Sequence, residues 1–282
     1  MPNAYGSYEA LIADPEIEAI YNPLPNHLHI PLTLQAARAG KHVLCEKPFS
    51  LTAAEAEQLR EVAGRVHIME AFMVRFHPQW QRVRELVRAG RIGTPRAVQV
   101  FFSYFNDDPG NIRNQADIGG GALFDIGCYA IVAGRDLFEA DPARVIALVD
   151  RDPALGTDRT TSALADFGGG RQLGFTVSTQ AQRYQRLNIV GTSGRIEVLI
   201  PFNAPQGEAT TILVDTTGAL DGSGVERETL QPCDQYTLQG EAFSRAVRAE
   251  VMLPYGLDDA VMNMRIIDAL LRSEHSGRWE AP

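Results

Sequence analysis

The first seventy residues alternate between two hydrophobic periods, and no other feature narrows the fold as much. A short apolar run, Ile17 to Asn22, ends in Pro23-Leu24-Pro25-Asn26. A segment with helical spacing follows from about His29 to Ala39, closed by Gly40, where helices favour a left-handed residue. His42 to Glu46 is the next apolar run. Thr52-Ala53-Ala54-Glu55 matches a capping box, in which threonine hydroxyl and glutamate satisfy each other's free backbone donors, so a helix is predicted to about Gly64. Val66 to Ala71 is a third run. Strands separated by helices of this length pair in parallel, with the helices crossing over the faces of the sheet.

Beyond residue 72 the pattern changes. Pro78 opens an amphipathic helix with Val83, Leu86 and Val87 on one side, ending at Ala89-Gly90. Arg96 to Phe105 reads as a long strand. A loop rich in Asn, Asp and Pro, Asn106 to Asn114, leads to Gly119-Gly120-Gly121 and another helix. Val145 to Val149, Thr160 to Phe167, Gln172 to Ser178, Leu187 to Val190 and Arg195 to Ile200 are strand-like, with Gly168-Gly169-Gly170 as a hairpin turn rather than a phosphate loop. Short turns between successive strands imply a mostly antiparallel sheet. A helix from about Leu257 to Ser273 closes the chain. The expected fold is α/β plus α+β: a parallel piece in residues 1–72 and a larger domain, 73–282, with an open, mostly antiparallel sheet.

Composition removes several classes of function. With 282 residues, 45% hydrophobic and 22% charged, the chain has the make-up of a soluble globular protein. A net charge of -9 leaves no basic stripe for a phosphate backbone, so no nucleic-acid partner is expected. No run reaches the roughly 18 uninterrupted apolar residues of a membrane helix, and the N-terminus lacks a basic-then-apolar leader, which predicts a cytoplasmic protein with no membrane partner. Cys45, Cys128 and Cys233 are distant and odd in number, and His27 and His29 are too close to share a helix face. Neither a disulfide framework nor a metal site is expected.

The residues that can carry chemistry stand at the breaks in this pattern. In His42-Val43-Leu44-Cys45-Glu46-Lys47-Pro48, proline cannot donate a ladder hydrogen bond, so the strand stops and delivers two charges to its carboxyl end, where ligands sit in open α/β sheets. Lys47 there can orient a hydroxyl or place positive charge beside a developing alkoxide; the alternative is an exposed ion pair with Glu46 that contributes little. In Gly119-Gly120-Gly121-Ala122-Leu123-Phe124-Asp125-Ile126-Gly127-Cys128-Tyr129, Asp125 and Tyr129 share one helix face and Leu123, Ile126 and Ala130 another. That polar face lines a pocket or forms a solvated surface pair. Gly127 inside a helix costs about 1 kcal/mol relative to Ala, which implies a close approach to its backbone. Asn26 and His29, at a helix start, suit a phosphate or ribose oxygen, although Asn is also an ordinary cap there.

Pro25-Asn26-His27-Leu28-His29, Cys45-Glu46-Lys47-Pro48 and the glycine run with Asp125, Gly127 and Tyr129, in this order and spacing, resemble the Gfo/Idh/MocA oxidoreductases. The likeness extends to Asp258-Asp259-Ala260 and Ser276-Gly277-Arg278. The resemblance implies a partial Rossmann-type nicotinamide-binding domain followed by a substrate-binding and oligomerisation domain. It implies hydride transfer between NAD or NADP, with NADP the first choice, and a sugar, polyol or dihydrodiol carbon. Carried over by position, Lys47 polarises the reacting oxygen, Tyr129 exchanges its proton, and Asp125 binds or orients the substrate. Pro25, Asn26, His29, Glu46, Lys47 and Arg75 border the cofactor. Tyr129, standing where inositol-type members carry His, leans toward the aldose and dihydrodiol dehydrogenase branch, and the nearby ammonium is expected to lower its ordinary value near 10. A homo-oligomer through the antiparallel sheet is also expected. The sequence has no Gly-x-Gly-x-x-Gly, and about the first sixty residues of the family pattern are missing from it. This predicts a severe fall in cofactor affinity and an unpaired parallel edge, and it admits a second reading: a catalytically silent sugar-binding or regulatory homologue.

Overall fold

The computed structural model describes residues 3–282. The parallel unit contains α1 (Tyr8–Ala13), β1 (Ala19–Asn22), α2 (His29–Arg38), β2 (His42–Glu46), α3 (Ala53–Glu57) and β3 (Ile68–Ala71). Its strands lie in the order β1-β2-β3, all parallel, with Asn22 beside Cys45 and Glu46 beside Ala71. Val43, Leu44 and Cys45 are buried on both faces, as expected for a strand with helices above and below. The Thr52 hydroxyl accepts from the Glu55 amide, but the Glu55 carboxylate reaches the amide of Leu51, one residue beyond the simple box. That helix is only one turn of α before Gln58–Val62 tightens to a 3₁₀ helix.

The remaining elements are α4 (Pro78–Arg88), β4 (Pro95–Phe105), α5 (Cys128–Phe138), β5 (Arg144–Arg151), β6 (Asp158–Asp166), β7 (Gln172–Ser178), β8 (Gln180–Gly191), β9 (Arg195–Val198), β10 (Thr210–Asp215), β11 (Val225–Leu230), α6 (Gln235–Val247) and α7 (Leu257–Ser276). Eight strands form one sheet in the order β11-β10-β9-β8-β4-β7-β6-β5, antiparallel throughout except for the β4–β7 pair. The sequence pattern did not indicate α1, β10, β11 or α6.

The larger of two apolar clusters joins the two units. Val98, Val100 and Phe102 from β4 and Leu173, Phe175 and Val177 from β7 point inward at period two and meet α5, whose residues are almost all buried. Helix α7 packs on β5, α3, α5 and β3, so it touches both sheets. The stretch Ala116–Phe138 is apolar on average, although Asp117, Asp125, Arg135 and Asp136 interrupt it and no run of 18 uninterrupted apolar residues occurs. By length and composition it is long and apolar enough to cross a bilayer, but 67% of its apolar window is buried inside the protein, and its last part, α5, is the central core helix. The carboxyl ends of β1 and β2 open toward the start of this segment.

Candidate active site

Lys47 leaves the end of β2 and crosses to the second unit. Its Nζ donates to the backbone carbonyl of Asp125 at 2.6 Å and to Asp125 Oδ1 at 3.1 Å, and it lies 5.0 Å from the centroid of the Tyr129 ring. The strand-end pair with Glu46 does not form. Glu46 instead accepts from the Lys47 backbone amide and from the Tyr21 hydroxyl. Lys47 and Asp125 side chains are 13% and 12% exposed, so the pair is largely withdrawn from water.

Backbone geometry on the opposite side makes this contact possible. Leu123–Gly127 is a π-helical turn that precedes α5, and the Asp125 carbonyl in it accepts from Lys47. The glycines before it are crowded. A Cβ on Gly120 would lie 2.7 Å from the carbonyl oxygens of Arg113 and Gln115, and one on Gly121 (φ +119°) would collide with Asp158 Oδ1. Asp158 in turn accepts from the Leu123 amide at 2.7 Å and so sets where the π turn begins. Gly127 packs against Leu123 and Val177; the close approach expected there is core packing.

Asp125 accepts at both oxygens, from Lys47 and Arg113 at Oδ1 (3.1 and 3.2 Å) and from the Tyr104 hydroxyl at Oδ2 (2.5 Å). Burial alone would raise its carboxyl, but the two cations outweigh this and hold it below the ordinary carboxylate range. Burial likewise disfavours the Lys47 ammonium, and the Asp125 carboxylate overrides it, leaving the group charged well above its ordinary range. Tyr129 departs from expectation. Burial among Phe72, Phe102 and Phe202 pushes the phenol well above its ordinary value, and Lys47 only opposes that rise. Its hydroxyl faces Met73 Sδ at 3.4 Å.

Lys47, Asp125 and Tyr129 line one cavity of about 600 Å³ together with Glu46, Met73, Tyr104, Arg113, Asn203 and Tyr236. A narrower crevice of about 160 Å³, bounded by Pro23, Pro25, Asn26, Pro48 and Gly119, shares Glu46, Lys47, Arg113 and Asp125 with it. The cavity residues Met73, Tyr104, Arg113, Asn203 and Tyr236 were not singled out from the sequence. Tyr104 was legible, because it continues the inward row Val98, Val100, Phe102 at period two. Arg113 lies in an irregular loop and carried no such signal.

Two residues expected at the cofactor are elsewhere engaged. Arg75 is 3% exposed and pairs with Asp136 at 3.2 Å and with Asp259, its guanidinium 4.1 Å from the Tyr255 ring centroid; it borders neither cavity. A charge in the turn after β3 reads as ligand-facing only if the acids that bury it, far away in sequence, are overlooked. His29 is fully buried, with its ring nitrogens 2.9 and 2.6 Å from the carbonyl oxygens of Pro48 and Leu24, so it staples two loops. Burial lowers its imidazole below the ordinary value. Asn26 does line the crevice, but its amide donates to the Gly119 carbonyl at 2.8 Å and ties the two units together.

A strand-end crevice in a parallel unit, opening on a lysine–phenol cavity beneath an open mixed sheet, defines a two-part oxidoreductase. Residues 2–75 match the profile of the oxidoreductase family with an NAD-binding Rossmann fold, and residues 80–197 match that of the GFO/IDH/MocA C-terminal domain. The chain belongs to the Gfo/Idh/MocA oxidoreductase family. It is 46% identical over 280 residues to an uncharacterized oxidoreductase of Rhizobium meliloti, and 39% identical over 281 residues to D-xylose 1-dehydrogenase (NADP(+)) 2 of Haloferax volcanii. In each case 98% of this chain and 84% of the relative are covered. Among solved structures it is similar to the aldose-aldose oxidoreductase of Caulobacter crescentus (TM-score 0.89, 25% identity, 99% of this chain and 83% of that one). It is also similar to a 3-ketoreductase of Actinomadura kijaniata crystallised with NADP and TDP-benzene (TM-score 0.87, 30% identity, 95% and 81%).

Proposed function

We propose that this chain is an NAD(P)-dependent dehydrogenase or reductase acting on the CH–OH or carbonyl group of a sugar, polyol or dihydrodiol, with an aldose as the leading substrate class and NADP as the leading cofactor. The observation that carries the reading is the convergence of the Lys47 ammonium and the Tyr129 phenol on one cavity. The names of the xylose dehydrogenase and the 3-ketoreductase favour the substrate class and NADP.

The crevice beside the cavity suits the nicotinamide end of the cofactor. Three prolines and the Glu46 carboxylate line a space sized for a ring, and it shares Lys47 with the larger cavity. Pro23, Pro25, Asn26, Glu46 and Pro48 would hold that end, and the bound cofactor supplies or accepts the hydride. The chain's own residues manage the oxygen. Lys47, kept charged by Asp125, places an ammonium beside the oxygen that gains negative charge. Tyr129, kept protonated by burial, donates its proton to that oxygen in the reducing direction and is reprotonated from solvent; in the oxidising direction the phenol first releases its proton to solvent and, as the phenolate, takes the proton of the substrate hydroxyl. Asp125 orients Lys47, and Tyr104 and Arg113 hold Asp125 in place.

The test is turnover of NADP⁺ and of NAD⁺ with a panel of aldoses that includes D-xylose. Saturable turnover is expected, and Tyr129→Phe should reduce kcat by about 10²–10⁴-fold with cofactor affinity unchanged. Loss of fluorescence from Trp80 and Trp279 reports cofactor binding independently. No response at millimolar cofactor would favour the silent sugar-binding reading.

The assembly proposed is a homo-oligomer built on the outer face of the eight-stranded sheet. Phe101, Leu148, Leu164 and Tyr184 are 38%, 78%, 51% and 48% exposed there, among Gln99, Ser162, Thr176 and Asn188, with Arg186 lying over the Tyr184 ring and paired with Glu197. A largely apolar face of this kind, with its one lining cation already paired, favours a second copy over water. Light scattering should give at least twice the 30.9 kDa chain mass, and Leu148→Lys with Leu164→Lys should give monomers. A monomeric parent protein would remove this part of the proposal.

A further inference from the structure

One buried carboxylate lies outside both cavities yet touches the turn that carries Lys47. Glu70, on β3, is 3% exposed. Its Oε1 accepts from the backbone amide of Phe49 at 3.0 Å, and its Oε2 from Asn263 Nδ2 at 2.9 Å. Pro48 has no amide to offer, and its carbonyl is taken by His29, so the Lys47-Pro48-Phe49 turn is held on one side by His29 and on the other by Glu70. The Asn263 amide cannot reverse, because its Oδ1 accepts from Arg135 at 2.6 Å. Both oxygens of Glu70 therefore face N–H donors. A proton on either oxygen weakens that oxygen as an acceptor and loosens either Phe49 or Asn263.

We propose that Glu70 is a positioning residue for Lys47: its carboxylate fixes the Phe49 amide, and with it the turn that aims the ammonium, so that a proton on Glu70, outside the cavity, lowers catalysis. The catalytic consequence rests on the dehydrogenase reading; the coupling of Glu70 to the turn does not.

The surroundings of Glu70 make this proton relevant near neutral pH. Burial raises the carboxyl, to about 8, the Asn263 amide opposes the rise, and among the nearby charges Asp259 on α7 adds to it while Arg75 after β3 opposes it. The other titratable neighbours are the thiols of Cys45 on β2 and Cys128 on α5, both raised by burial, and Arg135 on α5, which acts through Asn263. In the cavity, the values of Lys47, Tyr104 and Tyr129 are raised and that of Asp125 is lowered, while burial lowers that of His29 behind the turn. Those five groups do not supply an inflection near 8.

The experiment is kcat against pH in both reaction directions. The wild-type protein should gain activity between about pH 7 and about pH 9 with a midpoint near 8, and the sugar KM should change little. Glu70→Gln sets an amide donor against Asn263 or Phe49. It should lower kcat about tenfold or more and remove the inflection. The double variant Glu70→Gln with Asn263→Asp restores every hydrogen bond: the new side-chain amide on β3 would accept from Phe49 and donate to the new carboxylate on α7, which still takes Arg135. It should regain most of the lost kcat without the inflection, which no purely structural role for Glu70 predicts. An inflection retained in Glu70→Gln, or a flat wild-type profile, overturns the proposal. If the wild-type protein turns over no sugar, the dehydrogenase reading falls. The Phe49 amide resonance in phenylalanine-labelled protein then decides the coupling: titration near pH 8 that is absent in Glu70→Gln upholds it, and no titration overturns it.

Discussion

Lys47→Met is expected to reduce kcat by about 10²–10³-fold, equivalent to about 3–4 kcal/mol on the barrier, while the protein stays folded. Methionine keeps the length and apolar body of the lysine, so packing beside the Tyr129 ring survives. What disappears is the one lysine ammonium that reaches the cavity from the end of β2. Asp125 is not stranded, because Arg113 and Tyr104 still donate to it, and the large penalty of an unpaired buried charge is avoided. Thermal unfolding should therefore match the parent protein. A variant that keeps more than half of the parent turnover would remove Lys47 from the mechanism.

Arg75→Met should instead cost stability, by about 3–5 kcal/mol. Arg75 is the guanidinium shared by Asp136 and Asp259, with its side chain 1% exposed. Arg135 also donates to Asp259 at 2.8 Å, so Asp136 is the group left without its ion-pair partner when Arg75 is lost. Burial raises the Asp136 carboxyl above its ordinary range even with Arg75 present, and without Arg75 it rises further. A carboxyl whose folded value is raised takes up a proton on folding as the pH falls, so the destabilisation should be smaller at about pH 5 than at about pH 8. Denaturant titrations at the two pH values measure both effects. A loss under about 1 kcal/mol at the higher pH would show that the pair is dispensable.

The parts of this molecule legible in its sequence are those where one local signal decides the outcome. β2 and β7 fall on the residues their apolar runs indicated: Gly40 and Pro48 flank β2, and Gly168-Gly169-Gly170 precedes β7. β11, Val-Glu-Arg-Glu-Thr-Leu, is an edge strand with one neighbour and charged side chains toward solvent, so no alternation marks it. Helical spacing put Asp125 and Tyr129 on one face, and both do line the cavity. The π turn that gives Lys47 a backbone acceptor depends on Asp158, more than thirty residues away. Arg75 misled for the same reason: the acids that make it a core residue lie 61 and 184 positions along the chain, beyond any local window. The phenol's proton affinity was misjudged because its sign depends on how deeply three aromatic rings enclose it, and composition carries no record of that.

The crowded glycine run also limits how this protein can acquire new substrates. Side chains cannot be added at Gly120 or Gly121 without displacing backbone oxygens or Asp158, so the wall that carries Asp125 is closed to variation. Phe105, Asn203 and Tyr236 stand at the exposed opposite rim, with no comparable crowding. Drift in substrate preference, whether natural or engineered, therefore has to enter through that rim, leaving the ammonium, the phenol and their shared carboxylate untouched.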